Sequence, residues 1–445
     1  MKRLEITTKG VWVKVLLALL TSHFSHLTST AQVRGVETQV LITPDHEDWN
    51  YKVGEPCRFK VVVMSEQCVL ENVSIDYEAG PLGYPDRRGK GVTLDDGTWE
   101  YTDTLDQPGF VRLKVTAHVG KKSYKGLCTV AYAPERISPA ETMPADFQSY
   151  WEGEVASLRK IPFDVSCTLL PDRCTDKVNV YEVGINNVGG SRIYGILCRP
   201  KAPGRYPALL NVPGAGVRPY GGDIYTASLG VITLSIGIHG IPVTMEKSVY
   251  DDLSKVISRY PTFCMDDREA FYYHRVVLGA VRSADYLASL PDFNGVMGVT
   301  GASQGGFLSV ATAALNEHVT FLAVVHPACG DMAANLSGRP AGWPMPFEKT
   351  SATAEKRRTI QYHDAVNFAR LVHQPLWATW GYNDETVPPS TMYAIYNSVT
   401  SEKQLQPFYA TGHFWFEEQV DAWNNWVREK LRVLCKQSEQ SSSSM

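Results

Sequence analysis

Residues 301–306 read Gly-Ala-Ser-Gln-Gly-Gly. They contain the Gly-x-Ser-x-Gly spacing of a tight strand-to-helix turn that lifts a serine hydroxyl above a sheet. Glycines flank such a serine because the turn runs close to neighbouring strands, where side chains would collide. So short a pattern gains weight only from its setting. Here a strand-like run, Val296 to Thr300, precedes it and a helical run, Phe307 to Leu315, follows. Ser303 is therefore the candidate nucleophile. A serine hydroxyl attacks only when an imidazole takes its proton, and the imidazole needs a carboxylate to fix its tautomer and stabilise its cation. In the chain order Ser, acid, His that goes with this turn, Asp384 occupies the turn-rich segment 381–389 after an apolar run ending at Trp380. His413 is the one histidine downstream of it. It is expected behind a short strand, Pro407 to Ala410, and the turn Thr411-Gly412. Glu385 is the rival acid and ranks below Asp384.

The oxyanion that forms on attack needs two preorganised backbone N–H donors, one from the residue after the nucleophile and one from the loop after an early strand. The first is Gln304, and the second is expected in Pro213-Gly214-Ala215-Gly216, with Ala215 preferred. The same glycines do not start a dinucleotide-binding turn, because Val217-Arg218-Pro219 follows where the third glycine would stand.

These side chains need a sheet and helices to hold them. Beyond Pro134, apolar runs at 208–212, 231–236, 296–299, 322–325 and 375–380 alternate with helical periods such as Val277, Val281, Ala284 and Leu287. Continuous apolar strands joined through helices predict a parallel sheet covered on both faces, that is, an α/β-hydrolase domain over 134–435. Val420, Trp423, Val427 and Leu431 form one stripe of a last helix, so Trp423 reads as core packing. Residues 436–445, rich in Ser, Gln and Glu, are expected to be a disordered tail. Over residues 32–133 the pattern differs. Phe59-Val61-Val63, Val73-Ile75-Tyr77 and Val111-Leu113-Val115 alternate with polar residues, with turns at Asp95-Asp96-Gly97 and Gln107-Pro108-Gly109. This predicts an N-terminal antiparallel β-sandwich of Ig-like type, a spacer or interaction module rather than a carbohydrate-binding surface, that carries no catalytic group.

Composition narrows the rest. Lys+Arg 43 against Asp+Glu 47 gives a net charge of −4, too balanced for a nucleic-acid partner. Residues 11–20 are apolar behind Lys2, Arg3 and Lys9, and Ser29-Thr30-Ala31 follows, so residues 1–31 read as a signal peptide cleaved after Ala31. A secreted or periplasmic protein without stable membrane insertion is expected. The nine cysteines are irregularly spaced, and Cys167 with Cys174 is the expected pair. With no CxxC and no HExxH, no metal and no cofactor is expected.

From about Ala145 to Leu431 the chain resembles the acetyl xylan esterase and cephalosporin C deacetylase family of carbohydrate esterases. The likeness rests on residues 146–151 (Asp-Phe-Gln-Ser-Tyr-Trp), 299–306 and 362–369, and above all on the segment from Asp384 to Asn397 with its Pro388-Pro389-Ser390-Thr391. The resemblance implies acetyl removal from sugar hydroxyls, and hence an acetylated carbohydrate as substrate. Three departures stand out. The family's His-Gly-Tyr oxyanion loop is Pro213-Gly214-Ala215 here, so an aromatic wall of the acyl pocket is missing unless Tyr220 or Trp343 fills it. The family's Arg-Gly-Gln is His239-Gly240-Ile241, which puts that segment's bracing in question. A leading sandwich and a secretion signal are foreign to the family's typical cytoplasmic hexamer, so the oligomeric state is left open. An esterase for a bulkier acyl group, a peptidase of the same fold and an inactive carbohydrate-binding relative stand as alternatives.

Overall fold

A computed structural model describes residues 38–443, with side chains to Lys436. The expected signal peptide lies outside them. Nine strands build the sandwich: β1 (Thr38–Pro44), β2 (Asn50–Tyr51), β3 (Cys57–Ser65), β4 (Cys68–Val69), β5 (Val73–Pro81), β6 (Arg87–Leu94), β7 (Thr98–Asp103), β8 (Gly109–Val119) and β9 (Lys122–Tyr132). One sheet has β1, β3 and β4 in order with β7 also on β3, and the other runs β2-β9-β8-β5-β6. The period-two pattern does what it predicts. Phe59, Val61 and Val63 of β3 meet Val111, Leu113 and Val115 of β8 in one apolar core. Strand β8 is unusual in burying its other face too at its start, because Phe110 and Arg112 are also covered. Phe110, Leu82 and Ala131 belong to the main core of the second domain. Phe110 meets Tyr382 edge-on at 5.2 Å, and the Tyr382 hydroxyl donates to Asn50 at 2.9 Å. The sandwich is thus docked through a shared core rather than strung on a linker.

The second domain is built on β10 (Ser166–Leu169), β11 (Val178–Asn186), β12 (Arg192–Pro200), β13 (Tyr206–Asn211), β14 (Ile232–Gly237), β15 (Phe293–Ala302), β16 (Phe321–Val325), β17 (Leu376–Thr379) and β18 (Lys403–Leu405). Their order is β10-β11-β12-β14-β13-β15-β16-β17-β18. From β14 to β18 neighbours are parallel, while β10 to β12 join antiparallel, so the predicted parallel sheet carries an antiparallel wing. Alternate residues of the parallel strands face opposite layers. Ala208, Leu210, Leu322, Val324 and Ala378 share a core with the helices Phe147–Arg159, Tyr272–Ala288 and Gln304–Leu315. Leu209, Phe321, Ala323 and Trp377 face Val427 and Leu431 of the helix Glu417–Ser443. Trp423 of that helix packs against the same cluster and donates to Thr300 at 2.9 Å.

Three expectations are corrected. The helix Glu417–Ser443 continues through Lys436 instead of giving way to a disordered tail. Once a packed helix is nucleated, each added residue gains a backbone hydrogen bond without needing burial of its own. Cys167 and Cys174 are not bonded. Cys167 is paired into β10, and the Cys174 sulfur is engaged by the Leu170 carbonyl and the Val180 N–H at 3.4 Å each. The strand expected at Pro407–Ala410 lies earlier, as β18. Main-chain bonds from Gln406 and Phe408 to Ala378 and Trp380 continue, but Pro407 has no N–H, and a turn from Phe408 to Thr411 ends the ladder.

Candidate active site

Ser303 sits between β15 and the helix Gln304–Leu315 with φ +60° and ψ −122°, a backbone state rare for a residue with a side chain. Its surroundings hold it there. The Ser303 N–H donates to Val325 at 2.9 Å, and its carbonyl accepts from Ala328 at 3.0 Å. A side chain on Gly301 or Gly305 would come within 2.5 or 2.4 Å of the Val212 carbonyl, which is why both flanking positions are glycine.

His413 and Asp384 converge on this serine from the ends of β18 and β17. His413 Nε2 lies 3.1 Å from Ser303 Oγ, and His413 Nδ1 lies 2.8 Å from Asp384 Oδ2. The other oxygen of Asp384 accepts the N–H groups of Thr386 and Val387 at 2.8 Å each, and the side chain is fully buried. A carboxylate only accepts, so Nδ1 carries the proton of the neutral ring and Nε2 turns its lone pair to the hydroxyl. Such an arrangement can activate a serine and later return the proton to a leaving alkoxide. Glu385 points elsewhere and pairs with Lys114 at 2.7 Å.

The loop 213–216 stands beside the serine, since a side chain on Gly214 would reach within 3.2 Å of the Ala302 carbonyl and 4.0 Å of Ser303 Cβ. Arg218 donates to the carbonyls of Ala215 at 2.8 Å and Gly214 at 3.2 Å. His239 bonds the Gly216 carbonyl at 3.0 Å and the Tyr272 hydroxyl at 2.6 Å, so the bracing in question at 239–241 is supplied by the histidine itself. Gln304, first residue of its helix, presents an N–H with no partner within the helix. Its side chain spans the site, donating to Pro213 and accepting from Tyr260 and Tyr273. Tyr220 packs in a separate cluster with Val178, Val180 and Ile196, and Trp343 packs on the main core.

Sequence reasoning missed His326. It follows β16 at φ +32°, with its ring 4.3 Å from that of His413 and stacked on Trp415 at 5.3 Å. Burial, reinforced by His413, pushes its pKa down to about 3, so it stays neutral beside the His413 ring. Among the described residues, His326, Asp384 and His413 have donor atoms within 4.8 Å of one another, yet both ring nitrogens of His413 are already engaged by Asp384 and Ser303. Arg112 and Thr129, on the sandwich, were missed as well. Nothing in a period-two strand marks one buried arginine as facing another domain's loop.

The acetyl xylan esterase family profile matches residues 135–429. The acetyl esterase Axe7A of Xylanibacter ruminicola is 36% identical over 378 residues, 82% of this chain and 84% of the relative. The chain belongs to the acetyl xylan esterase family. It is with that a carboxylic ester hydrolase. Two solved structures share the fold: an acetyl xylan esterase from Paenibacillus sp. R4 (TM-score 0.57, 22% identity, 66% of this chain and 98% of that one) and acetyl xylan esterase 1 from Thermoanaerobacterium sp. JW/SL YS485 (0.56, 20%, 67% and 97%). The match to the Xylanibacter ruminicola protein is longer than the esterase domain, so it extends into the sandwich. In the esterase domain, the family-like segments 146–151 and 362–369 meet in space. Trp151 Nε1 donates to the Tyr362 carbonyl at 2.9 Å, and the Tyr362 hydroxyl donates to Asp146.

Proposed function

We propose that this chain is a secreted serine esterase that removes acetyl groups from sugar hydroxyls of xylan-type oligosaccharides or polysaccharides. One observation carries the reading: His413 bonds both Ser303 and Asp384 through its two ring nitrogens. Ser303 Oγ attacks the ester carbonyl while Nε2 of His413 takes its proton. Asp384 stabilises the imidazolium, and the N–H groups of Gln304 and Ala215 hold the oxyanion. The sugar alkoxide leaves with the proton from His413, and water activated by the same imidazole then hydrolyses the acetyl-serine.

A carbohydrate substrate is supported by the acetyl esterase relatives and by two aromatic residues that follow His413. Phe414 is 55% exposed and Trp415 44%, and the Trp415 ring stacks on His326, whose ring lies 4.3 Å from that of His413. Secretion and cleavage rest on residues 1–31: recovery in the cytoplasm alone would refute the first, and N-terminal sequencing that finds Met1 on exported protein would refute the second. Acetate release from acetylated xylo-oligosaccharide tests the activity. Ser303→Ala, His413→Ala and Asp384→Asn should each lower kcat on the order of a thousandfold, because members of such a unit fail together. Native turnover in any one folded variant removes that residue from the mechanism.

A further inference from the structure

We infer that Arg112 of the sandwich is a positioning residue for the catalytic acid, so that the N-terminal domain is a working part of the esterase. The inference rests on the assignment of Asp384 proposed above. Three consecutive residues of the acid loop are held from the sandwich. Arg112 Nη2 donates to the carbonyl of Asp384 at 2.8 Å and to that of Tyr382 at 3.2 Å. Between them, Asn383 accepts the Thr129 N–H at 2.9 Å and donates to the Leu127 carbonyl at 3.4 Å. The guanidinium is itself oriented, because its Nε donates to Thr129 Oγ1 at 2.7 Å.

From the other side the loop has main-chain bonds from Tyr382 to Tyr409 at 3.0 Å and from Asn383 to Thr411 at 3.1 Å. No such bond from the esterase domain reaches the Asp384 carbonyl among the described residues. The sandwich therefore provides the hydrogen bond at the acid's own main chain. Arg112 is only 9% exposed, and a buried arginine is costly unless its donors are used. Here Nε and Nη2 are used on neutral carbonyls and a hydroxyl, which leaves the positive charge to act on the acid loop. Burial pulls its pKa down to about 10 against the attraction of Glu385 and Asp384, so it is charged at neutral pH. The other titratable groups gathered here are Lys114 on β8, Glu78 on β5, Cys128 on β9, and Glu348, His413 and His326 of the esterase domain.

The test uses the full chain and an aryl acetate, with thermal unfolding to establish the folded fraction. Arg112→Gln should lower kcat per folded enzyme on the order of tenfold to a hundredfold at little change in KM, and Arg112→Lys should recover part of it. Loss of the positive charge should also move the acid limb of kcat/KM to higher pH. Thr129→Val keeps the volume, frees only the guanidinium, and should shift kcat the same way by about threefold or more; it is decisive if Arg112→Gln does not fold. Lys114→Ala, which breaks an exposed pair, should stay within about twofold. Native kcat and an unmoved acid limb in the folded variants, or losses matched by the unfolded fraction, overturn the inference. An active Ser303→Ala would instead overturn the mechanism on which it rests.

Discussion

The Tyr260 hydroxyl donates to the side-chain oxygen of Gln304 at 2.6 Å, and the Tyr273 hydroxyl reaches the same oxygen at 2.8 Å. All three side chains are buried. The Gln304 amide then donates to the Pro213 carbonyl at 3.2 Å, so the residue after Ser303 also ties down the loop that carries Ala215. Gln304→Ala leaves two buried hydroxyls without their acceptor, which costs about 2–4 kcal/mol of stability. It should also lower kcat on the order of tenfold, as the loop loses its tether. Tyr260→Phe removes one donor and should cost about 1 kcal/mol with kcat nearly unchanged. Denaturant unfolding and steady-state kinetics read both; native kcat in Gln304→Ala would show that the loop holds its place without the clamp.

Ala215 stands where the resemblance places an aromatic residue, while Tyr220 packs in a separate cluster and Trp343 on the main core. Each methylene buried in the space left would contribute about 0.8 kcal/mol to a longer acyl chain. Propionyl and butyryl esters should be turned over within roughly tenfold of acetyl in kcat/KM, with Ala215→Tyr restoring acetyl preference. A steep fall from acetyl to propionyl in the unmodified enzyme refutes this.

Trp415 is stacked on His326 and is 44% exposed, as a platform for a sugar ring would be. Aromatic contacts of this kind contribute about 1 kcal/mol. Trp415→Ala should therefore raise KM for acetylated xylo-oligosaccharide about fivefold to tenfold more than KM for an aryl acetate. Equal changes for both substrates would mean that Trp415 acts only through His326.

His326 and His363 are buried, and burial pushes each down to about 3 from an ordinary value of 6.5. Unfolded chains then bind more protons than folded ones between those values, so this stability is complete above 6.5 and is lost as pH falls toward 3. Asp364, raised to about 7 by burial and by Asp331, acts oppositely: its share is complete below 3.8 and lost as pH rises through 7. His363→Leu should flatten the fall in unfolding free energy between pH 6 and 4 by about 1.4 kcal/mol per pH unit. Urea titrations across that range check it; an unchanged slope would show that His363 is not buried neutral.

Periodicity and turn chemistry are local properties. They carried the reading of the two domains, the strand-to-helix turn at Ser303 and the core stripe of the last helix, because each depends on neighbours within a few residues; the order Ser303, Asp384, His413 came instead from the chain order that goes with that turn. Tertiary structure decided what depends on approach between distant segments. It turned Asp384 toward His413 and Glu385 toward Lys114, replaced the family's brace by His239, and set His326 under Trp415. It also kept Cys167 and Cys174 apart and carried the last helix past Lys436. Above all it buried both faces of β8 at its start, where an alternating pattern shows only that Phe110 and Arg112 lie on the face away from the sandwich core. What meets that face is chosen by the shape and hydrogen-bonding needs of a loop some 270 positions away, and no local pattern contains that.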